Sequence, residues 1–168
     1  MPSPPDASVF RRVAGRFATG VCVVTTVERD RPTPVDHAMT ANAFTAVSLD
    51  PLLVLVCVEV DARFHDAVLD AGVWAVSVLD ATARPAAAWL ATRGRPLHGQ
   101  LDRVPFHRGE ATGAALLEQA VGWLECRTTG VHPAGDHSIV VGEVLSARTG
   151  HDDAGTLLYH RSAYRSLP

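Results

Sequence analysis

The chain has 168 residues, 47% of them apolar and 20% charged, which is enough to bury one hydrophobic core as a single domain. A formal net charge of −3 argues against a nucleic-acid partner. There is no lysine at all, which excludes Schiff-base and pyridoxal-phosphate chemistry and the lysine of a Walker loop, and leaves arginine as the charged residue for holding a phosphate.

Residues 1–8 read as a disordered tail, proline-rich and acidic from Met1 to Asp6 and without the apolar stretch of a signal peptide. The domain is expected over residues 9–168. No run of about 18 apolar residues could span a membrane, so a cytoplasmic protein is expected, with no membrane partner. A short helix is predicted from Ser8 to Phe17, with Val9, Val13, Arg16 and Phe17 on one face, and Gly20 punctuates it. Val21 to Val27 is β-branched and strand-like, and Glu28 to Pro34 is a turn. His37 to Leu49 is rich in hydroxyls and small residues. After the turn signal Asp50-Pro51, Leu52 to Val58 is a continuous apolar run suited to a strand buried on both faces. Ala62 to Ala71 has helical spacing with Gly72 as its stop, Val73 to Leu79 is a strand, and Thr82 to Ala91 is a helix that tolerates Pro85 in its first turn. Thr92 to Gly113 is irregular. Val121 to Val131 and His137 to Ala147 form two long strands around the turn His132 to Asp136, and Thr156 to His160 closes the chain. Six or seven strands with few helices predict a mainly β barrel with peripheral helices.

Cys22, Cys57 and Cys126 are too far apart for a disulfide framework or a CxxC site, and each lies in an apolar run as a core thiol would. Eight histidines invite a metal reading, but none has HExxH or paired i, i+4 spacing, and no metal is expected. No GxSxG elbow and no GxGxxG loop occur, so any dinucleotide is held without a Rossmann unit. The informative stretch is Ala38 to Ser48, which contains Asn42, the only asparagine. Its small residues let a flat molecule lie against the backbone, and Thr40, Asn42, Thr45 and Ser48 offer hydrogen bonds to an uncharged heterocycle. A hydroxyl-rich edge strand without a ligand fits the same pattern.

Several ordered blocks resemble the short-chain flavin reductases, the reductase partners of two-component flavin-dependent monooxygenases. They are Phe17 to Thr26, His37 to Phe44, Val47 to Pro51, Trp74 to Leu79, Trp123 to Arg127, Gly135 to Val144 and Leu158 to Arg161, nearly the whole chain from Phe10 to Leu167. The resemblance implies a split β-barrel of the FMN-binding, Greek-key type. It also implies an NADH-dependent enzyme that reduces FAD or FMN, a homodimer with flavin sites near the interface, and a monooxygenase that takes the reduced flavin.

By that resemblance, the block Met39, Thr40, Ala41, Asn42 and Ala43 contacts the flavin ring, and His37 and Ser48 are counted among the cofactor-binding residues. Cys57, Val58, Glu59, Ala62 and Arg63 belong to the loop that holds the flavin phosphate. Relatives often have a serine at the position of Ala62 and a basic or polar residue at that of Val60. Glu59 and Asp61 would repel a phosphate if they faced it, so they are expected to turn outward, while Arg63 and the helix start near Ala62 attract it. Weak, exchangeable flavin would suit an enzyme that releases reduced flavin. Asp136 and His137 match a Gly-Asp-His block whose histidine positions the nicotinamide; on their own they also read as the end of a hairpin turn. Tyr159, Arg161 and Tyr164 line the same pocket or simply pack the last strand.

The implied reaction is hydride transfer from C4 of the nicotinamide to N5 of the flavin, with the two rings stacked ~3–3.5 Å apart and no catalytic acid or nucleophile required. Backbone N–H groups around Thr40 to Ala43 would stabilise charge developing near N1 and C2. NADH is favoured because no arginine can be assigned to a 2′-phosphate. Two alternatives stay open: a flavoprotein oxidase of the pyridoxamine-phosphate-oxidase type, which the missing lysines fit poorly, and a non-catalytic flavin- or haem-binding module.

Overall fold

The computed structural model describes residues 6–150 and 154–167, so the tail expected at residues 1–5 and His151 lie outside the described residues. Asp6 caps the first helix, α1 (Ala7–Ala14), by accepting the Ser8 N–H at 2.7 Å. Ala7 and Ser8, read from sequence as the end of the tail, are therefore its first turn. The helix stops at Ala14, before Phe17, and buries no side chain.

The strands are β1 (Thr19–Gly20), β2 (Cys22–Glu28), β3 (Val35–Ala41), β4 (Phe44–Leu49), β5 (Leu52–Glu59), β6 (Val73–Leu79), β7 (Phe106–Arg108), β8 (Ala115–Leu117), β9 (Ala120–Ala134), β10 (His137–Thr149), β11 (Thr156–His160) and β12 (Ala163–Leu167). Between them run α2 (Arg63–Ala71), a 3-10 turn (Ala81–Ala83) and α3 (Arg84–Ala91). Gly72 ends α2 in the left-handed conformation, and Pro85 sits in the first turn of α3, both as the sequence predicts.

Seven strands form one sheet in the order β3-β2-β6-β9-β10-β5-β4. β3 and β4 are its two outer edges, yet only Asn42 and Ala43 separate them in the chain. A sheet whose opposite edges are joined by two residues must curl until those edges meet. The edges do not pair with each other, so the barrel stays open along one seam. The fold is a split β-barrel, mainly β with three helices.

Inside it, Val24, Val56, Val58, Trp74, Cys126 and Val140 form a core that Phe64 and Val68 of α2 plug. Trp74 is fully buried, and its ring lies so close to Gly142 that a Cβ there would come within 2.5 Å of it. Truncating a fully buried Trp costs on the order of 3–5 kcal/mol. A second core outside the barrel joins Val21, Val23, Leu79, Leu90, Leu117 and Leu157, covered by α3. β11 and β12 belong to a separate three-stranded sheet with β1.

Two expectations change. β5 is buried on one face: Val54, Val56 and Val58 point inward, while Leu53, Leu55 and Cys57 are half-covered. Its apolar run is continuous because the outer face is apolar too. The turn between the long strands is shorter than predicted: β9 runs on to Ala134, and Gly135-Asp136 make a two-residue hairpin loop with Gly135 at φ 69°.

Candidate functional site

A cavity of about 530 Å³ opens at the seam of the barrel. One wall is the end of β3 with the link that follows it: Met39, Thr40, Ala41, Asn42 and Ala43. β5 comes alongside through the Cys57 N–H, which donates to the Ala43 carbonyl at 3.0 Å, and Cys57 and Glu59 line the cavity. Ala62, Arg63 and Phe64 bring in the start of α2. That start has no side-chain cap, so its first-turn N–H groups depend on other acceptors. His137, the first residue of β10, also lines the cavity, and its Nδ1 is held by Asp136 Oδ1 at 2.7 Å. The Asp136 carboxyl is accordingly held below its ordinary pKa by the hydrogen bond from His137.

The fourth wall is one that sequence reasoning missed. Thr92, Arg93, Gly94 and Arg95 follow α3 and close over the cavity. Arg95 is pinned in place: it donates to the carbonyls of Thr92 (2.9 Å) and Ala38 and to Gln100 Oε1 (3.3 Å). None of those acceptors is a carboxylate. Burial first, and then the like charge of Arg63, push its pKa below the usual guanidinium value. Arg63 donates to the Arg95 carbonyl, and Arg93 is paired with Glu59. Three arginines thus line the cavity together with the small residues of the link, and Glu59 is the single carboxylate paired to any of them among the described residues. The signal was present in the sequence: Arg93-Gly94-Arg95 is a concentrated pair of cations in a chain without lysine.

Ten of the sequence-chosen residues therefore meet at this cavity: Met39, Thr40, Ala41, Asn42, Ala43, Cys57, Glu59, Ala62, Arg63 and His137. Glu59 corrects one expectation, since it lines the cavity and is neutralised by Arg93 instead of turning outward; Asp61 also lines it. Thr40 has its hydroxyl proton engaged by the Ala87 carbonyl at 2.8 Å, which fastens α3 to β3. Cys57 is not a core thiol, because it is half-buried between two cavities.

The others are not brought in. Val58 alternates with Cys57 and points into the core. His37 lies one alternation back along β3 from Met39, with Nε2 against Glu28 at 3.2 Å, in an adjoining hollow. Ser48 is near the far end of β4 and accepts the Asp50 N–H. The Asp136 side chain points to solvent apart from its bond to His137. Tyr159 and Tyr164 stack edge-to-face at 5.5 Å against the outer core, and the Arg161 N–H donates to the Gly15 carbonyl. The separate β1-β11-β12 sheet keeps all three out of the cavity.

A second, more apolar cavity of about 630 Å³ shares Asn42, Ala43 and Cys57 with the first and is walled by Phe17, Phe44 and Leu55. No group of three or more His, Cys, Asp or Glu with metal-holding geometry occurs among the described residues.

Residues 14–168 match the family model described as flavin reductase like domain. The chain belongs to this flavin reductase family. It is 45% identical over 145 residues to an NADH-dependent FAD reductase of Streptomyces globisporus, covering 86% of this chain and 77% of that protein. BorF, the flavin reductase component of a bacterial two-component tryptophan halogenase, superposes with a TM-score of 0.89 at 46% identity, covering 97% of this chain and 99% of that one. The S. globisporus C-1027 NADH:FAD oxidoreductase SgcE6, in complex with NAD and FAD fragments, superposes with a TM-score of 0.89 at 38% identity, covering all of this chain and 96% of that one.

Proposed function

We propose that this flavin reductase family member uses NADH to reduce FAD or FMN in the cavity at the barrel seam. One observation carries the reading: the small residues Ala41, Asn42 and Ala43 and three arginines, Arg63, Arg93 and Arg95, line a single cavity. The small residues suit a planar uncharged ring, and the arginines suit its phosphate. The cavity is also of the size expected for such a ligand.

Arg95 is the main phosphate residue in this reading, since it is pre-positioned and has no carboxylate of its own. Arg63 and the uncapped start of α2 add to the same anion site. Backbone N–H groups of the link stabilise charge on the ring, and Cys57 forms part of the floor. Flavin supplies the hydride acceptor for NADH. His137, held by Asp136, positions the nicotinamide. His37, Val58, Ser48, Tyr159 and Arg161 are left out of this assignment.

The apolar side favours a second subunit. Phe10 and Val13 on α1, Phe17 just beyond it, and Leu49 and Leu52 around the β4–β5 turn are 48–87% exposed, and Phe17 walls the second cavity. Exposed large apolar side chains of this kind favour an interface, and a homodimer would cover the second cavity and exclude water from it. The kinship with a two-component system supports a separate oxygenase-type partner that takes the reduced flavin. No helix among the described residues is long and apolar enough to cross a membrane, and we place the protein in the cytoplasm, where NADH is available.

The test is NADH oxidation by the purified protein with FAD, FMN or no flavin. Turnover that requires added flavin supports the reading; none with either flavin, with NADPH also tried, overturns it. His137→Ala should raise the KM for NADH more than it weakens flavin binding. Sedimentation as a monomer would remove the dimer.

A further inference from the structure

One polar trio has the connectivity of a hydrolase triad without its access. His65, in the first turn of α2 and buried, has Nδ1 3.0 Å from Asp66 Oδ1 and Nε2 2.9 Å from Ser138 Oγ. With a carboxylate at Nδ1 the neutral ring carries its proton there, and Nε2 accepts the Ser138 O–H. Ser138 is itself buried and lines neither of the two cavities described above, so no acyl substrate reaches its hydroxyl. What matters is what the two ends of the trio are attached to.

His65 stands two residues after Arg63, in the turn that brings Arg63 to the main cavity. Ser138 stands one residue after His137, and strand alternation sends the two side chains to opposite faces of β10: His137 to the cavity, Ser138 to α2. The bond between His65 and Ser138 is the one side-chain hydrogen bond from α2 to β10 among the described residues. This end of β10 needs such a fastening. On the β5 side the ladder continues through Glu59, but on the β9 side Ser138 is opposite Pro133, which has no N–H to give. The one side-chain hydrogen bond of His137 among the described residues goes to Asp136, whose side chain is 90% exposed. Asp66 is 88% exposed as well, so the bond of the trio that is shielded from water is the one that joins helix to strand.

We propose that His65 is a positioning residue for the nicotinamide. Through Ser138 it sets the start of β10, and with it the place of the His137 ring, while Asp66 fixes the tautomer that accepts the Ser138 proton. The inference rests on the reading of the main cavity as the flavin site with His137 at the nicotinamide.

Steady-state NADH oxidation with added flavin, together with flavin titration, tests it on the wild type, Ser138→Ala, His65→Gln, His65→Phe and His137→Ala. Ser138→Ala removes one oxygen and little bulk, so it is the variant least able to misfold. It should raise the KM for NADH ~3–10-fold, the loss expected for one buried hydrogen bond, with kcat and the flavin dissociation constant within ~2-fold of wild type. His65→Phe should do the same. His65→Gln, whose side-chain carbonyl can accept the Ser138 O–H, should restore most of the KM. Adding Ser138→Ala to His137→Ala should raise the KM no further, because both changes act through the same ring. A merely structural role predicts the opposite split: melting temperature and active fraction, hence kcat, fall while the KM stays at its wild-type value. That pattern overturns the proposal, as do equal losses in the Gln and Phe variants or effects at Ser138 and His137 that multiply. If His137→Ala leaves the KM unchanged, the nicotinamide assignment fails and the positioning role with it. A wild type that never oxidises NADH with either flavin overturns the flavin site itself.

Discussion

Arg93, in the segment after α3, places one guanidinium nitrogen 2.7 Å from both carboxylate oxygens of Glu59 at the end of β5, and both residues line the main cavity. Arg93 is 83% exposed and Glu59 32%, so the pair is open to water and is worth on the order of 0.2–1 kcal/mol. It nevertheless decides how much positive charge the cavity offers to an anion. Glu59→Gln should free Arg93 and tighten flavin binding by up to ~5-fold, with a steeper salt dependence. Titration at two ionic strengths checks this; weaker binding in the variant would mean that Glu59 itself holds the ligand.

Arg95 should behave differently, because its surroundings fix it. Removing it deletes a charged donor and frees the acceptors on Thr92, Ala38 and Gln100. Arg95→Met should weaken both flavins ~10–100-fold, as expected for charge-assisted hydrogen bonds. Arg95→Lys should recover little, since an ammonium cannot span the same fork of acceptors. Full recovery by lysine would reduce the role of Arg95 to charge alone.

Thiol chemistry gives an independent view of where the ligand sits. Cys22 and Cys126 are buried, and burial pushes both thiols up to about 12. Cys57 is half-buried and lines the main cavity. Alkylation at pH 8 should mark Cys57 first, and saturating flavin should slow it. Mass spectrometry of the labelled peptides reads the order; labelling of Cys57 that ignores flavin would argue against a ligand on that floor.

The same buried thiols make the fold sensitive to alkali. In the unfolded chain they ionise near their ordinary value of 9.0, and in the folded protein only at about 12. Between those values the unfolded state has lost protons that the folded state keeps. Stability is therefore complete below pH 9 and falls as pH rises, by about 1.4 kcal/mol per pH unit for each thiol. Urea melts at pH 8, 9.5 and 10.5 should show the loss, and a Cys22→Ala/Cys126→Ala protein should lose less over the same range.

The seam wall was legible in the sequence because its chemistry is local: Ala38 to Ser48 is small and hydroxylated, and contains the chain's only asparagine. Arg93 and Arg95 stand out in the sequence as a pair of cations, but they could not be placed, because Thr92 to Gly113 has no hydrophobic period and so offers no element on which to locate a side chain. Only the curled sheet and α3 carry that loop back to β3. The outer face of β5 misled for a different reason. Periodicity shows that Leu53, Leu55 and Cys57 are apolar, but not whether what covers them belongs to the same chain. Val58 and Ser48 were chosen by block, and strand alternation and distance along β4 took them elsewhere.

The two-residue link between the outer strands has a thermodynamic consequence. Asn42 and Ala43 adopt their place only when seven strands have curled far enough to bring β3 beside β4, so that wall of the cavity exists only in the fully assembled barrel. A ligand seated there binds the folded state and not its precursors, and its mass action adds to the stability of the entire sheet. Core variants far from the cavity, at Trp74 or Val140 for example, should therefore lose ligand affinity as they loosen the barrel. Saturating flavin should in turn raise their melting temperatures, acting as a chemical chaperone for lesions it never touches.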